Sequence, residues 1–509
     1  MTAGDVITRE SVIAPSTSQR VARNSVLYFA SVGVTAVAAL IFVPVSVRAL
    51  GAARFGLLAL SWAIAESTGV FDFGLGKATI RFVADASVRS TQRLRDIVTS
   101  SLITQTAMGI LAGLIFFLIT PFLVNRVFSI ATGNIAEARA MFRVLALHMP
   151  VLLFLASLRA SLEGAQRFDI STPLRVPGSV AGVVVPAWAA FEGYSLSTIL
   201  WVLLAVRIAL AVVTAIMVRR TLLDRWALPS QFSVLREMLG YSGWVAASTA
   251  IGPALGSMDR FAVGSIVGGA GLGYYGGAAE AANRFLLVPV TAFSAVFPAL
   301  AAVDASHGRD RALEVTRAAR RQLVALMFPL CLALFVFGPQ LLGLWLGAPF
   351  SAAAGTALRI LAVSVFLAGV AMLPLALLYG SGRPDLPAKI NLLQLSLHVP
   401  IMIFAVKILG ITGAAVAMTV LRIEDLVFYE WATRRYLGSA PHDHEAARRS
   451  RVLVACSAGL LAAFSLATAA PPIASLIVAM IAFAAYGALV WLRVLSARER
   501  EAWTSMLNR

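Results

Sequence analysis

Charge and cysteine are scarce in this 509-residue chain: 13% of residues are charged, 59% are hydrophobic, and there are two cysteines. So few charges exclude a soluble protein with a fully solvated surface. Both cysteines, Cys331 and Cys456, lie inside apolar runs, so no disulfide framework is expected. Lysine is nearly missing too, with Lys77, Lys389 and Lys407 the only three among 42 cations. In a soluble chain the net charge of +17 would suggest nucleic acid. Here the cations flank apolar runs, and no nucleic-acid partner is expected. Also lacking are a nucleophile elbow, a D-x-D pair and a zinc-protease motif, so no catalytic residue, metal or cofactor is expected. GLGKAT (74–79) has neither the spacing of a phosphate loop nor a strand before it, and PHDHE (441–445) lacks metal-site spacing. Without an ATP-binding domain, energy for any transport must come from an ion gradient, the membrane potential or the substrate's own gradient.

What the chain has in abundance is apolar runs of about 20 residues, the length that crosses a bilayer as a helix. Fourteen are counted: 24–47, 55–80, 98–124, 142–162, 171–190, 196–218, 240–265, 272–301, 322–345, 357–379, 387–409, 412–433, 452–470 and 472–494. The first is too long for a signal-peptide core and has no small-residue cleavage site, so it is expected to remain as a span. With the N-terminus in the cytoplasm, thirty cations fall in inner segments and tails and seven in outer ones. That imbalance predicts both termini inside, in a multi-pass all-α protein.

Several features recur at an offset near 216. ALGAARFG (49–56) resembles IVGGAGLG (266–273), GAQRFD (164–169) matches GSGRPD (380–385), and Arg207, Arg219 and Arg220 fall on Arg422, Arg434 and Arg435. A repeat of six spans keeps the same topology in each copy, as in transporters whose halves are related by an axis along the membrane normal. The expected organisation is therefore a cytoplasmic tail (1–23), a six-helix bundle (24–220), a cytoplasmic linker (221–239), a second six-helix bundle (240–436), a cytoplasmic loop (437–451), two further helices (452–494) and a cytoplasmic tail (495–509).

Charges within the spans are costly, roughly 2.5–3.5 kcal/mol each near the bilayer centre on insertion scales, and call for a function or a partner. Counting 1.5 Å per residue from the outer ends, Glu66 lies about 17 Å deep, Arg284 about 18 Å, and Arg207 and Arg422 about 15 Å. Asp72 lies about 26 Å in, towards the cytoplasmic mouth, while Asp259 and Arg260 sit within two turns of the outer end. Arg159 has Glu163 four residues on, Arg284 has Glu280, and Arg422 has Glu424 and Asp425. Arg207 and Glu66 have no opposite charge within a turn and must find one elsewhere. Among the prolines inside apolar runs, Pro253 is placed to bend the segment bearing Asp259 and Arg260.

Residues 48–87, with Leu50-Gly51, Phe55-Gly56, Phe71-Asp72-Phe73-Gly74-Leu75-Gly76 and Arg81, resemble the first outer turn and second span of polysaccharide and O-antigen flippases. SLEGAQRF (161–168) and GLGYYGGAAEAANR (271–284) are similar to that family's span 4–5 turn and start of span 8. These flippases belong to the multidrug/oligosaccharidyl-lipid/polysaccharide exporter (MOP) superfamily, with the MATE-like fold. The resemblance covers roughly 20–435 and implies two six-helix bundles around a cationic cavity that opens alternately to each side of a bacterial inner membrane. It also implies a substrate, an oligosaccharide on undecaprenyl diphosphate, flipped to the outer leaflet for surface polysaccharide assembly. Membrane lipids, and a polymerase and glycosyltransferases of the same pathway, are the further partners to consider. Antiport with Na+ or H+ is implied, and no residue here decides between them. On this reading Arg207, Arg260, Arg284 and Arg422 offset the diphosphate, while Glu66, Asp72, Asp259 and Glu280 hold the arginines or serve coupling and gating.

Three alternatives stand beside it. A multidrug antiporter of the same superfamily would show an acid-dominated cavity, whereas five arginines, Arg159, Arg207, Arg260, Arg284 and Arg422, remain within the spans once the inner and outer cations are set aside. A lipid II flippase shares the span count and an arginine-bearing cavity. A membrane-embedded polymerase or ligase would carry a large outer loop with catalytic residues and no six-span repeat.

Overall fold

The computed structural model describes residues 17–87, 90–223, 225–226, 251–252, 254–290, 309–381, 383, 385–438, 444–467, 472–497, 499–501 and 504, and structural statements here concern those residues. Pro253 and its expected bend, most of the 221–239 linker, and residues 441–443 of the PHDHE run lie outside them.

Among the described residues the chain is helical, without strands. The helices are α1 (Thr17–Ser67), α2 (Leu75–Ala86), α3 (Thr91–Phe122), α4 (Ile135–Gly164), α5 (Phe168–Phe191), α6 (Leu196–Leu222), α7 (254–266) and α8 (Gly269–Asn283). They continue as α9 (Arg309–Leu346), α10 (Ala348–Gly380), α11 (Asp385–Tyr436), α12 (His444–Ala467) and α13 (Pro472–Leu489). Nine helical stretches are long and apolar enough to cross a membrane. Two of them are broken by glycines in non-helical conformations, Gly51 in α1 and Gly410 in α11, and so make two crossings each. Helices α7, α8 and α12 stand where the other three are expected, which is consistent with fourteen.

The breaks carry the repeat into three dimensions. Gly51 and Gly268 both have positive φ (71° and 97°), as do Gly193 and Gly410 (78° and 59°), and each pair is separated by the sequence offset to within one residue. A side chain is disfavoured in that backbone region, so the turn ends of both halves use the same solution. The matching G-x-x-R-x-D turns also fold alike. Arg167 donates from Nε to Asp169 Oδ1 at 3.0 Å with a second bond to Oδ2, and Arg383 does the same to Asp385 at 3.0 Å.

One apolar core joins both halves, built from α1, α4, α8 and α10 residues such as Phe55, Phe142, Tyr275 and Leu358. Where α1 crosses α8, Gly56 lies against the Gly269 carbonyl and Gly273 against the Ala52 carbonyl, so closely that a methyl on either glycine would overlap backbone. Small residues four apart let membrane helices approach this closely. Nearby, Ser129 donates through its backbone N–H to the Gly264 carbonyl (3.0 Å) and through its hydroxyl to the Ser265 carbonyl (2.6 Å). The described contacts between halves thus gather at the end carrying Gly51 and Gly268. Helices α12 and α13 pack on the flank of α9 around Leu332, Leu453, Phe464 and Tyr486.

The second expected span, 55–80, is not one helix. After Ser67 the chain makes a 3-10 turn (Thr68–Asp72), passes through Phe73 (φ 46°) and Gly74 (φ 74°), and restarts as α2. Apolar composition sets a span's length and says little about a local break whose backbone groups find side-chain partners.

Candidate functional site

Asp72 is such a partner. Its two carboxylate oxygens accept the Gly76 N–H at 3.1 and 3.0 Å, where an acid complements both the open N–H groups and the dipole of a helix start. Gln105 of α3, with its amide turned to suit its neighbours, donates to Asp72 Oδ1 (3.1 Å) and to the Leu153 carbonyl (3.2 Å). The break therefore serves to restart the helix with Lys77 in its first turn.

Lys77 reaches a cavity of about 470 Å3 whose other walls come from the second half, including Tyr379, Asn391, Gln394, Arg422 and Tyr429. Arg422 donates to Asp425 Oδ2 (2.8 Å), and Gln394 donates to Asp425 Oδ1 (2.9 Å). The Tyr429 hydroxyl donates to Asn391 Oδ1 (3.1 Å). Arg422 takes Asp425 rather than Glu424, whose Oε2 is buried without a partner. His398 is fully buried within reach of the Arg422 and Asp425 charges, and neither of its ring nitrogens has a partner. One carboxylate thus stands among Lys77, Arg422 and several amide and hydroxyl groups, leaving a surplus of positive charge facing the space.

A second cluster sits nearer the α1–α8 crossing and joins the halves. Arg260 donates to Glu66 Oε2 at 3.4 Å, with the Glu66 side chain 69% exposed and that of Arg260 only 12%. Arg284 pairs with Glu280 one turn earlier and lies close enough to feel the charges of Glu66 and Arg260. Asp259 is committed elsewhere: its Oδ2 accepts the hydroxyl of fully buried Tyr275 (2.7 Å), and its Oδ1 accepts the Arg260 N–H (2.8 Å). Arg284 also lines an apolar groove of about 550 Å3 with Val37, Leu40, Leu344 and Trp345, between α1 and the second half. Trp345 Nε1 donates to the Leu40 carbonyl there (2.7 Å).

Arg207 stands apart from both clusters. It donates to Nδ1 of buried His148 (2.5 Å), while His148 Nε2 donates to the Leu200 carbonyl (2.9 Å), an arrangement that fixes the neutral tautomer. Arg159 lies near Arg207, Glu163 and Arg175, and Arg175 donates to Glu163 (3.1 Å). The structure thus brings Glu66, Arg260, Arg284 and Glu280 together, with Asp259 behind them. It places Arg422 in the neighbouring cavity and leaves Asp72 and Arg207 in the first half. Charge counting does not reach His148, Tyr275, Asn391, Gln394 or Tyr429, and it assigns Lys77 to the inner segments although that side chain lines the cavity. His148 and His398 fall mid-span and could have been found by the argument applied to the acids. Among the described residues, no three His, Cys, Asp or Glu side chains are grouped as a metal site requires.

The profile of the family described as Polysaccharide biosynthesis protein matches residues 45–355, more than half of the chain. The chain belongs to this family. A Shigella flexneri protein named "Putative O-antigen transporter" is 26% identical over 394 residues, 76% of this chain and 91% of that protein. Among solved structures, the lipid II flippase MurJ in an inward closed conformation superposes with a TM-score of 0.69 at 10% identity, covering 93% of this chain and 98% of its own. An inward-facing multidrug resistance MATE family transporter of the MOP superfamily gives 0.61 at 16% identity, covering 84% and 96%. At such identities the likeness establishes the fold, which this multi-pass membrane protein shares with that superfamily.

Proposed function

We propose that this protein flips a polyprenyl-diphosphate-linked oligosaccharide from the inner to the outer leaflet of a bacterial plasma membrane, for surface polysaccharide assembly. The observation that carries the reading is the position of Arg284, which lines the apolar groove beside α1 and also interacts with the Glu66–Arg260 pair joining the halves. A substrate with a long apolar tail and a dianionic head needs both environments side by side, and guanidinium groups suit a diphosphate. The polar cavity of Lys77 and Arg422 is the adjoining space for sugar and phosphate. Family membership and the Shigella relative support the same substrate class. A drug antiporter for cations would be poorly served by this surplus of positive charge.

Transport proceeds by alternating access, with both termini cytoplasmic and the Gly51 end outermost. Coupling to Na+ or H+ falls to Glu66, the least committed of the four candidate acids. Glu280 holds Arg284, while Asp72 and Asp259 are occupied in positioning α2 and Tyr275. Arg207 acts through the first-half wall it shares with His148.

The test is export of surface polysaccharide in cells whose only copy carries Arg284→Ala or Arg422→Ala. Both variants should insert normally and accumulate lipid-linked oligosaccharide that an impermeant reagent cannot reach from outside. Normal export in both would overturn the reading.

A further inference from the structure

The two C-terminal helices create a site that the transport path does not use. Helix α9 carries Arg309, Arg311, Arg317, Arg320 and Arg321, against Asp310 and Glu314, in its first turns, and no charge from Gln322 to its end at Leu346. Helix α12, packed beside it, carries Arg448, Arg449 and Arg451, with Glu445 paired to Arg449, and then no charge to Ala467. The two helices therefore change from cationic to apolar side by side, as segments do at a headgroup boundary. Between them lies a cavity of about 580 Å3, walled by Arg317, Arg320, Arg321 and His444 at one end and by Leu453 and Val454 at the other, with no carboxylate in its lining. Arg320 and Arg321 spend terminal nitrogens on Glu430 and Glu499, yet the buried Nε of each has no acceptor. Val454, 69% exposed, continues the apolar wall outward.

We propose that this cavity binds the phosphate headgroup of an anionic phospholipid, with its acyl chains descending over Leu453 and Val454. Charge-assisted bonds from guanidinium groups to phosphate are the strong ones, and basic pockets between membrane helices are where such headgroups are held. A free phosphate would use the arginines and gain nothing from the apolar wall, so the observations favour a lipid. Helices α12 and α13 lie beyond the family-matched segment, and the bound lipid would fasten them to α9.

The test uses the full-length protein in a neutral detergent, with phosphatidylglycerol or phosphatidylcholine added at equal ratio and bound lipid counted by native mass spectrometry. Phosphatidylglycerol should be retained in preference to phosphatidylcholine. Arg317→Gln should lower its occupancy about tenfold, the scale of one lost charged hydrogen bond, and Val454→Asp should lower it too by setting a carboxylate on the wall that the acyl chains cover. Arg126→Gln, exposed at the opposite end, should leave it unchanged. Val454→Asp leaves the arginines in place, so a folding defect in Arg317→Gln would not obscure the result. Wild-type retention by both cavity variants, or displacement of the lipid by millimolar inorganic phosphate, would overturn the proposal.

Discussion

Arg260 and Glu66 belong to different halves of the chain, 194 positions apart, and meet at 3.4 Å, ten residues along α1 from the Gly56 contact with α8. With Glu66 largely exposed, the pair adds at most about 1 kcal/mol to stability. Its consequence is conformational, because any movement that parts α1 from α7 at Glu66 must break it. Glu66→Gln should leave thermal stability almost unchanged and lower polysaccharide export. Exchanging the charges, Glu66→Arg with Arg260→Glu, should restore closure, read as protection from an impermeant label of an Ala59→Cys thiol, a position buried where α1 faces Gly276 of α8. An unprotected thiol in the exchanged protein would show that the pair does not hold the halves.

The α1–α8 crossing leaves no room for a Cβ. Gly273→Ala places a methyl on the Ala52 carbonyl, and because the obstruction is backbone, neither partner can rotate away. Overpacking of this kind costs about 1–3 kcal/mol. The variant should melt lower in detergent and label faster at Ala59→Cys, buried against α8 in the parent, than the parent does. Gly133→Ala, at a turn with open space around it, should do neither.

These two sites show how far the sequence could be read. The glycines of 49–56 and 266–273 are visible as a repeat, and their role is geometric: matched segments of the two halves cross where the halves meet. The acids were legible as anomalies, because hydrocarbon makes a charge conspicuous wherever it occurs. Their partners were not, since the bond from Tyr275 to Asp259 spans two helices and the Asp72 bond depends on a break that apolar composition conceals. Depth counted along one helix places Arg260 shallow and Glu66 deep, yet the two meet. A long guanidinium side chain, and the tilt of one helix past another, are invisible to a count along the axis.

Arg207 and His148 give a prediction that separates structure from transport. His148→Leu removes the acceptor for a largely buried guanidinium, so it should destabilise by about 1–3 kcal/mol or more. Removing both groups, as His148→Leu with Arg207→Met, should cost less than the single histidine change, because no buried charge is then left unpaired. Thermal unfolding of the four proteins closes the cycle. Export by the double variant then decides the role of Arg207: preserved export assigns it to structure, and lost export in a stable protein assigns it to the route.

Glu499 supplies the dependence on pH. Burial by itself would push its carboxyl up, but hydrogen bonds from the Ser496 N–H, from Gln322 and from the Ser496 hydroxyl, together with the Arg321 charge, hold it below the ordinary value. The Ser496 N–H lies 2.6 Å from Oε2, Gln322 Nε2 2.9 Å and Arg321 2.7 Å from Oε1, and the Glu499 N–H returns a bond to Ser496 Oγ at 3.2 Å. This reciprocal box caps the start of the short helical segment that follows Ser496 and ties it to α9. A carboxyl lowered in the folded state contributes stability that is fully present above its unfolded value, near 4.5, and is lost as pH falls through the folded one. The melting-temperature difference between the parent and Glu499→Gln should therefore stay constant from pH 8 to about pH 5.5, then shrink as acid protonates the parent. A difference that instead grew in acid would mean that Glu499 is held in its neutral form, with Arg321 paired to something else.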